Sequence, residues 1–349
     1  MIFEGFCKAK IIFEHMFRPN KNIKIFLNYV LGPLLGAWLF FSLYQHIKTQ
    51  PHLHDSIVLI KNAPFGKHAV NFWLVVILAF LNWGLEARKW QILMMHLQPL
   101  SFFTAVKGVL SGVALSLNTP NRIGEYGGRV LYVDDGKRLK SVSLSIAGSL
   151  CQLTITVLMG CGGLIFLLNK THGNESMVMG LSFFWLEMLL FLSAISTIIL
   201  LVFLFRLSWI IKILEKIPVF SKYIQYITVL DEFTAKLLLR LLLLSFLRYL
   251  VFVIQYILLM NLLHVEIEWQ QGFWLITILY LVLAIVPSVA IADLGIRGKF
   301  SVELLSLYSA NVVGIIGTTF GIWFINLFIP AIAGSFFIIR KKIFKEKKD

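Results

Sequence analysis

Arg122, Glu125 and Arg129 stand three and four residues apart, and Asp293 and Arg297 stand four apart, in a chain that is otherwise greasy. Residues at those spacings share a face of a helix. If a helix begins near Ile123, Glu125 and Arg129 pair on it. Pro120 and Gly124 interrupt the apolar run before that point and leave backbone N–H groups free near a helix start, which favours anions. A guanidinium matches phosphate oxygens in bidentate fashion, so Arg122 and Arg129 beside Gly124 suit a phosphate. The plain alternative is a cytoplasmic loop whose charges are solvated. In the second segment Pro287 and Ser288 end the preceding run, and Gly295 and Gly298 permit close backbone approach to Asp293 and Arg297. Its plain alternative is an ion pair that stitches a hairpin together.

Other ionisable and polar residues fall inside apolar stretches. Asn82, Glu86 and Lys89 lie on one helical stripe with Arg88 beside it, either as an interfacial anchor with Trp83 and Trp90 or as a cavity wall. Glu187 and Arg248 fall within apolar runs; neither should face lipid, so they are expected to pair with each other or with the two segments. Gln152 is expected to hydrogen-bond between helices. Pro120, Glu86, Glu187, Arg248 and Gln152 are thus candidates to support a cavity, with no residue assigned a catalytic role. The chain has no Gly-x-x-x-x-Gly-Lys-Ser/Thr loop, no His-Glu-x-x-His stretch and no Gly-x-Ser-x-Gly elbow. Asp134 and Asp135 read as a solvated turn ending in Gly136, and His46, His52, His54 and His68 are too loosely spaced for a metal. Cys7, Cys151 and Cys161 read as small core residues. No cofactor or metal is expected.

The elements that position these groups follow from composition. Of 349 residues 58% are hydrophobic and 14% charged, with a mean hydropathy of +0.82, the profile of an all-α polytopic membrane protein. Runs at about 25–45, 70–93, 142–168, 181–206, 238–263 and 312–339 can cross a bilayer of about 30 Å. Two more, about 105–118 and 273–291, lead into the charged segments. Basic residues then decide the sides. If all eight runs crossed, the basic loops 120–141 and 206–240 would lie outside. If the two segment-bearing runs dip in and return, both loops become cytoplasmic, as do the basic N-terminus and tail. The expectation is six transmembrane helices and two re-entrant helical hairpins entering from opposite sides, an inverted repeat around the midplane. Domains follow as 1–24 (cytoplasmic, with no removable signal peptide), 25–340 (membrane) and 341–349 (basic cytoplasmic tail). The net charge of +14 sits beside apolar runs, as a cytoplasmic membrane face requires, and so argues against a nucleic-acid partner.

At the two broken segments the chain resembles the transmembrane domain of lysylphosphatidylglycerol synthases, a flippase-like membrane family. Pro120, Arg122, Gly124 and Glu125 match its Pro-x-Arg-x-Gly-Glu pattern. Leu294, Gly295 and Arg297 match part of its Gly-Gly-Leu-Gly-Val-Arg-Glu pattern, whose leading glycines and closing Glu are replaced here. The Arg and Asp that the family often carries after the first pattern give way to Ser149, Gln152 and Thr154. Asp293 could substitute for the missing Glu from the other side of Arg297. The resemblance spans about 25–340 and implies a stand-alone inner-membrane protein, without the soluble aminoacyl-transfer domain, that handles or translocates a phosphate-bearing lipid. Arg122 and Arg297 would then hold the headgroup, with Gly124, Glu125, Arg129 and Asp293 shaping the site. Two other roles stay open: an intramembrane transferase on a phospholipid or polyprenyl phosphate with Glu125 as base, and a non-catalytic partner of a lipid-synthesis enzyme.

Overall fold

In lipid every backbone N–H and C=O must find a partner inside its own segment, so long apolar runs fold as helices. The computed structural model describes residues 58, 61–65, 69–117, 119, 122–171, 177–178, 181–207, 209, 211, 215, 224–286 and 290–341. The expected span at 25–45, the segment 1–24, residues 342–349 of the tail, Pro120, Pro287 and Ser288 lie outside them, and Asp293 is described as backbone only. The helices are α1 (Ala69–Met94), α2 (Phe102–Ser116), α3 (Gly124–Val130), α4 (Arg138–Thr171), α5 (Phe183–Phe205), α6 (Ala235–Leu262), α7 (Trp269–Ile285), α8 (Ala290–Leu305), α9 (Val312–Trp323) and α10 (Ile329–Arg340). A two-residue antiparallel pairing, Met177–Val178 with Leu181–Ser182, precedes α5.

Among the described residues α1, α4, α5, α6 and the joined α9–α10 are long and apolar enough to cross a membrane. α2 and α7 are shorter, at 15 and 17 residues, or about 22 and 25 Å at 1.5 Å per residue. These boundaries agree with the sequence expectation to within a few residues. Asp293 and Arg297 ride together on α8, a helix of 16 residues, as their spacing of four predicts. One feature departs from the expectation. The last span is interrupted by a π-helical turn, Phe324–Phe328. Pro330 supplies the reason, because it has no N–H to donate and its ring crowds the carbonyl of Asn326.

Side-chain caps define where several helices start. Ser101, Thr234 and Asn311 accept from the N–H groups of Thr104, Leu237 and Gly314 at 3.2, 3.2 and 2.8 Å. The Thr119 hydroxyl accepts from Gly124 N–H at 2.8 Å and so caps the start of α3. Arg122, in the turn between α2 and α3, has a φ of 58°, a left-handed conformation that costs a side-chain-bearing residue about 1–2 kcal/mol.

α3 runs back along α2. A Cβ on Gly112 would meet the Glu125 carbonyl oxygen at 2.6 Å, and one on Gly128 would collide with the backbone of Ser111 and Gly112. The two backbones approach that closely only because both residues are glycine. Gly128→Val is therefore expected to lower stability by at least about 1–3 kcal/mol, read as a fall in the thermal unfolding midpoint of the purified protein.

The buried apolar residues form two main clusters. One joins the second half of α1 (Trp83–Met94) to α2, the start of α4, Leu241 of α6 and α10. The other joins the first half of α1 (Val75, Ala79) to the later part of α4, the second half of α6, and α7, α8 and α9. Each short helix belongs to a different cluster. The long helices α1, α4 and α6 run through both, and their polar residues lie at the crossing between them.

Candidate functional site

Glu86 is the hub of that crossing. It lies on α1 and is only 3% exposed. Its Oε1 is 2.7 Å from Nη2 of Arg129 on α3. Its Oε2 is 2.8 Å from Nζ of Lys89, one turn along α1, and 3.0 Å from Nη1 of Arg248 on α6. Arg129 also donates to Glu125 Oε1 at 2.7 Å, the i,i+4 pair expected from sequence. Arg248 donates through Nε to Asn82 Oδ1 at 2.8 Å, and Asn82 Nδ2 donates to Asn326 Oδ1 in the π turn at 3.1 Å. The Arg248 guanidinium lies over Trp83 and Phe252, 5.3 and 5.4 Å from the ring centres. One carboxylate thus ties α1, α3 and α6 together, and an amide pair extends the tie to the α9–α10 junction.

Beside this network lies a cavity of about 210 Å³. Arg122 from the first broken segment and Arg297 from the second both line it, although 175 residues separate them in sequence. Arg248, Gln152 and Asn326 line it too, as do Trp83, Tyr249, Phe252, Tyr280 and Trp323. Gln152 donates through Nε2 to the Ser245 carbonyl of α6 at 3.3 Å, the interhelical bond expected, and also faces the cavity. In the network Lys89, Arg129 and Arg248 share Glu86, and Arg129 also holds Glu125; Arg122 and Arg297 add their guanidiniums to the cavity wall beside Arg248.

Three placements differ from the sequence expectation. Arg129 does not line the cavity; it is 2% exposed and held between Glu86 and Glu125, because two carboxylates lie within reach on its own side. Glu187 does not pair with Arg248 or line the cavity; it sits exposed in the second turn of α5, while Glu86 takes Arg248. Glu86, Asn82 and Lys89 are not an interfacial anchor, since all three are buried in the bundle. Gly124 is where expected, packed on the Leu115 carbonyl at the start of α3.

Tyr249, Tyr280 and Asn326 were not foreseen. Asn326 has a sequence signal, a lone amide within an apolar run four residues before a proline; the tyrosines have none. The remaining polar candidates fall into place simply. Asp134 and Asp135 form a solvated turn, paired with Lys137 at 3.7 Å and Arg138 at 2.6 Å. Cys151 and Cys161 are free and buried. Among the described residues no group of three or more His, Cys, Asp or Glu is placed to hold a metal.

The sequence profile of the lysylphosphatidylglycerol synthase TM region matches residues 29–334, taking in both broken segments and every member of the ionic network. A comparison with curated proteins finds no match. With the profile covering most of its length, the chain belongs to the lysylphosphatidylglycerol synthase transmembrane-region family.

Proposed function

We propose that this protein binds the phosphate-bearing headgroup of a membrane lipid between its two broken segments and passes that lipid from one leaflet to the other. The family ties the chain, an integral membrane protein, to lipid metabolism or translocation. The observation that carries the finer reading is the meeting of Arg122 and Arg297 on one cavity beside an ionic hub. Arg122 is exposed and receives the headgroup, Arg297 closes on it from the other segment, and Arg248 provides a third guanidinium. Because Arg248 also holds Glu86 at 3.0 Å, an incoming phosphate competes with that carboxylate. Lys89 and Arg129 keep Glu86 neutralised while Arg248 turns to the ligand. Asp293, with an undescribed side chain, remains a candidate to orient Arg297.

Glu125 is held by Arg129 at 2.7 Å. A carboxylate so engaged is a poor general base, which favours carrying a lipid over transferring a group to it.

Leaflet exchange of fluorescent phospholipids in liposomes tests the reading. Wild-type protein is expected to accelerate exchange, and Arg297→Ala to lower the rate by about tenfold or more, the loss of a charge-assisted contact of roughly 1.5–3 kcal/mol. An unchanged rate in Arg297→Ala would remove the second segment from the path.

The membrane setting proposed is the bacterial inner membrane with both termini cytoplasmic and the two hairpins re-entrant from opposite faces. A cysteine introduced at Gly136 should then react with a membrane-impermeant maleimide only in inside-out vesicles. Labelling from the periplasmic side of intact cells would reverse this topology.

A further inference from the structure

A hydroxyl inside a membrane helix has a ready partner, the carbonyl one turn back. In this bundle Thr154, Thr156, Thr197, Thr319 and Ser335 each donate to the carbonyl four residues before them, at 2.8–3.0 Å. Among the described Ser and Thr residues three hydroxyls are buried with no partner: those of Ser245 on α6, Ser301 on α8 and Thr318 on α9. All three side chains are closed to solvent. Packing does not call for these hydroxyls, since alanine or valine would fill the space with no polar atom to satisfy.

Their places follow the cavity. Each stands four residues, about 6 Å along a helix, from a residue on its wall: Ser245 before Tyr249, Ser301 after Arg297, Thr318 before Ile322. Ser301 shares a face of α8 with Leu294 and Arg297, and Thr318 shares a face of α9 with Ile315 and Ile322. Leu304, Leu305 and Ile315 beside them belong to the buried cluster of α7, whereas Leu241, one turn before Ser245, belongs to the cluster of α2. The three hydroxyls thus extend the cavity along the bundle in both directions. Ser301 and Thr318 lie on the side of the link between α8 and α9. Asn311 in that link donates through Nδ2 to the carbonyls of Leu263 and His264, both at 3.0 Å, so this is the end of the bundle formed by the α6–α7 turn.

From this arrangement, and resting on the headgroup reading above, we infer that the cavity is the open middle of a longer polar path. Ser301 and Thr318 are headgroup contacts on the leg from Arg297 to the α6–α7 end, and that leg is sealed in this conformation. A hydroxyl both donates and accepts, so it serves phosphate oxygens, ligand hydroxyls and water alike as they pass. It also holds an anion more weakly than a guanidinium does, and a site met on the way out must release what it binds.

Cysteine accessibility tests the path separately from translocation. In proteoliposomes Ser301→Cys and Thr318→Cys should react with sulfonatoethyl methanethiosulfonate, a small anion, above the background of the wild-type cysteines. The reaction should be at least about tenfold faster than at Thr319→Cys, a position equally buried whose hydroxyl is already bonded. Equal labelling of all three, or of none, would overturn the path even if leaflet exchange depends on Arg297. The contact is tested by Ser301→Ala combined with Thr318→Val. This variant should slow exchange at least about fivefold with an unchanged or raised unfolding midpoint, while Thr319→Val exchanges as wild type does. Full exchange in the combined variant, or a midpoint that falls with the exchange rate, would overturn the contact. Selective labelling in a protein that exchanges no lipid would keep the path and overturn the headgroup reading.

Discussion

Arg122→Gly is expected to abolish leaflet exchange while leaving the protein as stable as wild type or slightly more so. Arg122 holds a φ of 58°, where a side chain costs about 1–2 kcal/mol and glycine costs almost nothing. It is exposed, so its removal leaves no buried carboxylate without a partner: Glu125 keeps Arg129 at 2.7 Å, and Glu86 keeps Lys89, Arg129 and Arg248. What disappears is one of the three guanidiniums on the cavity wall. A strained residue that serves no packing purpose is what a binding site retains and a merely structural turn would discard. The checks are paired, with exchange rate in liposomes measured beside the thermal unfolding midpoint in detergent. Loss of exchange of about tenfold or more with an unchanged or raised midpoint supports the headgroup role. Full exchange, or loss of both together, would show that Arg122 shapes the α2–α3 turn and nothing else.

The second large effect falls on stability. Glu86→Gln keeps the volume of the side chain but removes the charge that Lys89, Arg129 and Arg248 share. Leaving buried ions without their counter-ion costs about 3–5 kcal/mol, and here three cations lose it at once. Of these only Arg129 retains another carboxylate, Glu125. The variant should express poorly or lose its monodisperse peak in size-exclusion chromatography. Removing one cation along with the carboxylate should restore part of the loss, so Glu86→Gln with Lys89→Met is expected to be more stable than Glu86→Gln alone. Two contacting sites that behave additively in that double-mutant cycle would mean the ion pair is not formed. By contrast Glu187→Gln, on the exposed face of α5, should change the midpoint little, within the ±0.5 kcal/mol usual for surface changes.

The contrast between Glu86 and Glu187 shows how far sequence reading reached. Both are acidic residues in apolar runs, and hydropathy alone treats them alike. Glu86 shares a stripe with Asn82 and Lys89, which marked it as a candidate, yet the same stripe fits a helix end anchored in the headgroup region. Only the packing of α6 against α1 brings Arg248, 162 positions later in the chain, to within 3.0 Å of it. Arg129 illustrates the same limit from the other side. Its i,i+4 pairing with Glu125 is local and was legible, whereas Glu86, the second carboxylate that draws it away from the cavity, belongs to another helix.

By itself the sequence determined what depends on local chemistry. Runs of apolar residues must become helices where water cannot serve the backbone, so most of the described span boundaries were readable to within a few residues. Pro and Gly beside charges picked out the two segments, although Gly295 and Gly298 prove to lie within the continuous helix α8. Tertiary structure alone decided the rest. It joined Arg122 to Arg297 across a shared cavity, made Glu86 the common counter-ion of three helices, and set Asn326 in a π turn facing Asn82. Each of these depends on which helix faces lie against each other. In a nearly uniform apolar chain, hydropathy leaves those faces indistinguishable; the need of each buried charge for a partner at hydrogen-bonding distance distinguishes them.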